Sequence, residues 1–139
     1  MEQRPLILEG RCIKAGTAEG AALVSSEPIG FLGGVDPATG IVTEKGHPLE
    51  GQCVAGKVLV FPTGKGSTVG SYVLYQLAEN GLAPAAILNA ESEPIVAVGA
   101  IISAIPMVDH LPLDPFKTGD GVRIEGSKVI LSPTTPANY

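Results

Sequence analysis

Apolar residues in this chain fall into short runs divided by glycine and proline, and the spacing inside each run predicts its element. The run KVLVFP, residues 57 to 62, is uninterrupted and reads as a buried strand. After it, Val69, Val73, Leu74, Leu77 and Ala78 recur at close to 3.6 residues, which predicts an amphipathic helix with Gly81 as its stop. The same parts then repeat. APAAILNA predicts a strand, ESEPIVAVGAII a helix with Glu93 and Pro94 in its first turn, and IPMVD another strand. Strand, helix, strand, helix, strand implies parallel pairing in the second half. The ends differ: two strands are expected near 6 to 14 and 20 to 26, and TGDGVRIEGSKVILSP alternates Val122, Ile124, Val129 and Leu131 as a hairpin. VDPATG, residues 35 to 40, has the chemistry of a turn. The fold expected is α/β, a mixed β/β/α domain over residues 1–139, with 132–139 a loose tail.

Composition narrows the function classes. A hydrophobic content of 45% is ample for one core in 139 residues. Net charge is −5 and the nine Lys and Arg are scattered, so no nucleic-acid partner is expected. The most apolar window, 95 to 108, contains Ser103 and Pro106, falls short of the roughly 20 residues that span a bilayer, and reads as core. MEQRPLILEG lacks a basic-then-apolar leader, which fits a cytoplasmic protein. Cys12 and Cys53 stand alone, without C-x-x-C spacing, and are expected to be small buried hydrophobes. An iron–sulfur cluster takes three or four cysteine ligands, so two cannot hold one unaided, and no metal site is expected in this chain.

The chemistry concentrates in GKGSTVGSYV, residues 64 to 73. It is not a Walker A loop, because Lys65 precedes the hydroxyls, and G-x-G-x-x-G fails because the third glycine is Gly70. The general physics survives: backbone N–H groups at a helix start favour an anion, which makes Lys65, Gly66 and Thr68 candidate substrate-binding residues. Ser67 admits two readings, a helix N-cap or a serine whose alkoxide is stabilised by neighbouring N–H groups. Lys65 is either solvated or aimed at an anionic substrate. His47 and His110 lack partners at metal or triad spacing and are expected to be exposed or structural. Asp36, Asp109 and Asp114 lie near prolines, as turn residues bonding the backbone.

Three strings, AEGAALVSSEPIGFLGGVDPATG, GHPLEGQCVAGKVLVFPTGKGSTVGSYVLYQLAENGLAPAAI and AESEPIVAVGAIISAIPMVD, resemble the small, swivel-domain subunit of the aconitase X family over residues 6 to 132. The resemblance implies a swivelling domain like the terminal domain of aconitase, closing over a separate large subunit that carries an iron–sulfur cluster. It assigns Ser67 as the proton acceptor of a hydro-lyase. As a stand-alone small subunit, the chain would help dehydrate mevalonate 5-phosphate to trans-anhydromevalonate 5-phosphate in isoprenoid synthesis. A hydroxyproline is the alternative substrate within the family, and a noncatalytic interaction module the alternative outside it. One departure is IGFLGG, with Gly30 where the family commonly has Ser, read as a turn position.

Overall fold

A computed structural model describes residues 5–65 and 69–132. Its elements are β1 Leu6–Glu9, β2 Arg11–Lys14, β3 Thr17–Val24, β4 Val58–Phe61, α1 Gly70–Glu79, β5 Ala86–Asn89, α2 Pro94–Ile102, β6 Met107–Asp109, β7 Gly121–Glu125 and β8 Lys128–Ser132. Strands β3 to β6 pair in parallel. Every residue of β4, β5 and β6 is buried, as strands covered on both faces require, and this is why their sequences are apolar runs rather than alternations. Strands β7 and β8 are antiparallel and keep the alternation, with Val122, Ile124, Val129 and Leu131 inward.

The strand order is β1-β8-β7-β3-β4-β5-β6-β2. β3 joins its two halves: Thr17–Ala21 pairs with β7, and Ala22–Val24 with β4. The antiparallel half therefore folds onto one face of the parallel half, burying Val122, Ile124, Val129 and Leu131 against Val58, Val60, Leu88 and Val108. The helices cover the other face, where Val73, Leu74, Leu77, Val96 and Ala100 pack with Leu59, Phe61, Ile87 and Met107. Three layers result, β/β/α, as expected.

The strand expected over 6 to 14 is divided. β1 ends one edge of the sheet and β2 the other, with only Gly10 between them. A side chain at Gly10 would place its Cβ 2.7 Å from Val108 Cγ1 and against the Asp109 carbonyl, so the crossing between edges needs glycine. At the other terminus Ser132, expected in the tail, is the last residue of β8 and pairs with Gly121 of β7. Residues 133–139 lie outside the described residues.

Residues 25 to 57 connect β3 to β4 without helix, a length that in a compact domain is usually functional. The segment supplies Ile29, Phe31, Val35, Val42, Leu49 and Val54 to the helix-side core. His47 holds it together: the buried ring has Nε2 3.0 Å from the Pro28 carbonyl, and Nδ1 accepts from the Leu49 N–H at 3.1 Å. Those bonds require a neutral imidazole with its proton on Nε2, the structural role expected for this residue. Asp36 caps its turn as expected, Oδ1 accepting from the Ala38 N–H at 2.9 Å.

Two expectations about burial fail. Cys12 is exposed because β2 is an edge strand, and Cys53 is half-buried in the long connection, its Sγ 3.6 Å from the Thr39 carbonyl. The window 95 to 108 is only partly core: Val96, Gly99 and Ala100 face inward while Val98, Ile101 and Ile102 are exposed, since one side of a covering helix has nothing over it. No helix among the described residues is long and apolar enough to cross a membrane.

Candidate functional site

Parallel strands align their carboxyl ends along one edge, and in open α/β sheets ligands gather outside that edge. Here β4 ends at Phe61, β5 at Asn89 and β6 at Asp109. The segment after β4 is tied down on two sides. The Ile29 N–H donates to the Thr63 carbonyl at 3.3 Å, and the Lys65 N–H to the Ile29 carbonyl at 3.0 Å. The Ala90 and Glu91 N–H groups both donate to the Pro62 carbonyl at 3.1 Å, which binds the turn after β5 to the same segment. The side chain of Lys65 reaches across to Glu44, Nζ to Oε2 2.9 Å, with 47% and 33% of the two side chains exposed.

Gly66, Ser67 and Thr68 lie outside the described residues, between this tied segment and α1. The N-cap of α1 is Val69, not Ser67, and a valine side chain cannot cap. α2 is capped by its own acid: Glu93 accepts from the Ile95 and Val96 N–H groups at 3.0 and 3.2 Å, with Pro94 at the first helical position. Glu93 was expected inside the first turn and stands one position earlier. Two helix N-termini thus open onto the edge that carries Lys65. Gly30 is more than a turn position. It is buried, and a Cβ there would stand 3.0 Å from the Lys65 carbonyl oxygen and 3.3 Å from Lys65 Cγ.

The edge holds a second group that sequence reasoning missed. Asp109, read as a turn residue, ends β6 with its side chain fully buried. Arg11 pairs with it through two parallel bonds, Nε to Oδ1 2.9 Å and Nη2 to Oδ2 2.8 Å, and the Ser92 N–H donates to Oδ2 at 2.9 Å. Burial pushes the carboxyl up, but the Arg11 and Ser92 hydrogen bonds and the Arg11 charge outweigh it and hold it down at about 2. His110, in the left-handed region at φ 60°, sets Nε2 3.5 Å from Glu91 Oε1. No sequence signal joins Arg11 to Asp109, 98 residues apart. Asn89 was also missed: fully buried at the end of β5, it donates Nδ2 to the Phe61 carbonyl at 2.9 Å, while its Oδ1 has no hydrogen bond among the described residues.

Glu91, Asp109 and His110 converge closely enough to suggest a metal site, yet both Asp109 oxygens are already bonded to the Arg11 cation, which opposes a second positive charge there. Neither cysteine joins a group of three possible ligands among the described residues. The donor set among the described residues does not fit an iron–sulfur cluster.

A β/β/α domain with Lys65 following β4 at the carboxyl edge of its parallel strands defines the class: a swivel-type domain. The match is to the aconitase X swivel domain, over residues 7–132, and the chain belongs to that family. It is 61% identical over 127 residues, 89% of this chain and 88% of the relative, to the phosphomevalonate dehydratase small subunit of Methanosarcina acetivorans. It is 58% identical over 118 residues, 85% and 89% of the two chains, to the protein of the same name from Thermococcus kodakarensis. The fold superposes with TM-score 0.89 and 55% identity on a chain in the crystal structure of Thermococcus kodakaraensis aconitase X in its holo form, covering 91% of this chain and 98% of that one.

Proposed function

We propose that the chain is the small subunit of a cytoplasmic hydro-lyase that removes water from mevalonate 5-phosphate to give trans-anhydromevalonate 5-phosphate, active only with a large subunit. What carries this reading is the 61% identity to a phosphomevalonate dehydratase small subunit over 89% of the chain, together with the place of Lys65 just after β4, at the carboxyl edge of the sheet. The whole of 1–139 works as one domain.

In this proposal the iron–sulfur cluster belongs to the large subunit, where, when bound, it supplies Lewis acidity toward the departing hydroxyl. The small subunit supplies the base. Ser67 takes the proton from the neighbouring carbon, and the electron pair left behind becomes the new double bond as hydroxide departs. An ordinary serine is too weakly acidic for this at neutral pH. N–H donors at the start of α1 and exclusion of water on closure would stabilise its alkoxide. Lys65, with the Gly66 and Thr68 backbone, binds the substrate anion.

The test is to co-express the chain with its large subunit and follow loss of mevalonate 5-phosphate beside hydroxyproline. Turnover of the first and not the second is expected. Turnover of hydroxyproline alone would reassign the substrate, and turnover of neither would remove the enzymatic reading.

A further inference from the structure

We propose that Glu44 is a positioning residue for Lys65, holding its ammonium at the carboxyl edge so that it meets an anionic group of the substrate. This rests on the reading of Lys65 as a substrate-binding residue. Lysine carries a strongly hydrated point charge on a four-carbon stem with many rotamers, and is a poor locator of an anion unless something orients it. Here three contacts do so. The main chain is tied to Ile29 at 3.0 Å. Gly30, lacking a side chain, lets the segment lie close, since a Cβ would be 3.3 Å from Lys65 Cγ. Glu44 then takes one hydrogen of the ammonium at 2.9 Å and leaves two for a ligand.

Glu44 is itself on a fixed support. The Thr43 N–H donates to the Gly34 carbonyl at 2.9 Å, and Val42 exchanges bonds with Gln52 and Gly51 at 2.9 and 2.8 Å. The pair thus fastens the long β3–β4 connection to the loop that leads to Ser67, across 21 residues of sequence. It is half-exposed, and such pairs contribute little to stability, so its effect is on where Lys65 points. A ligand can also reach it from solvent.

The experiment uses the complex with the large subunit and the variants Glu44→Gln, Glu44→Asp, Lys65→Ala and the double variant Glu44→Gln/Lys65→Ala. Glu44→Gln should raise KM for mevalonate 5-phosphate about threefold to tenfold with kcat little changed, because orientation of a binding group is lost equally in ground and transition states. Glu44→Asp should recover part of this. Lys65→Ala should raise KM at least as much, and the double variant should be no worse than Lys65→Ala alone, because Glu44 acts through the lysine. A lower KM in Glu44→Gln would show that the carboxylate competes with substrate and would overturn the proposal. So would an unchanged KM, or independent effects in the double variant. If the wild-type complex does not turn over mevalonate 5-phosphate, the proposed function fails and the pair is judged by acetylation of the Lys65 amine, followed by mass spectrometry. Labelling several-fold faster in Glu44→Gln than in wild type supports the orienting pair, and equal labelling removes it.

Discussion

Replacing Asp109 by asparagine keeps the shape of the side chain and removes a charge buried at the end of β6. The lowering of its carboxyl from 3.8 to about 2 corresponds to about 2.5 kcal/mol favouring the charged folded form. Because half of the Arg11 side chain is in water, we reduce this to about 2 kcal/mol. The sign follows from the direction of the shift. A carboxyl held below its unfolded value stabilises the fold above about pH 4, and the contribution is lost as pH falls from there toward about 2. Urea unfolding of the wild-type and Asp109→Asn chains at closely spaced pH values measures it. The difference should be about 2 kcal/mol at pH 7, about 6 °C in Tm, and should shrink to near zero by pH 2. Arg11→Met should destabilise at neutral pH as well, because it removes the cation bonded to both oxygens of a buried carboxylate. A difference below about 0.5 kcal/mol at pH 7, or one that does not change between pH 5 and 2, would refute the reasoning.

Ser67→Ala, assayed in the complex, should leave fold and assembly intact and lower turnover about 10²- to 10⁴-fold if Ser67 is the base. Ser71→Ala, on the first turn of α1, should be much milder, and wild-type turnover in Ser67→Ala would remove the assignment. His47→Leu should cost about 2 to 3 kcal/mol by thermal unfolding, because the Pro28 carbonyl and Leu49 N–H lose their partner inside the long connection. With a maleimide under native conditions Cys12 should label well before Cys53, which a mass spectrum of the digest reads directly; the opposite order would contradict the edge position of β2.

Local signals were enough wherever an element needed only its own residues. The uninterrupted run Val58–Phe61, the 3.6-residue spacing of Val73, Leu74 and Leu77, and the alternation from Val122 to Leu131 each report the burial of one element, and each became the element expected. The β/β/α layering followed, because apolar runs want two covered faces and alternating strands one. Motif spacing located GKGST, and the resemblance assigned Ser67 a role that composition could not. Tertiary structure decided what depends on residues far apart in the chain. The division at Gly10 depends on β1 and β2 lying at opposite edges, and the exposure of Cys12 on the edge that β2 occupies. Arg11 meets Asp109 because β2 pairs antiparallel with β6 at the sheet edge, and Lys65 meets Glu44 because the long connection folds back onto the segment after β4. A charge in a sequence states its sign; whether it is solvated, paired or buried is set by the partner that folding brings to it, and this separates Asp109 from the turn residue it resembled.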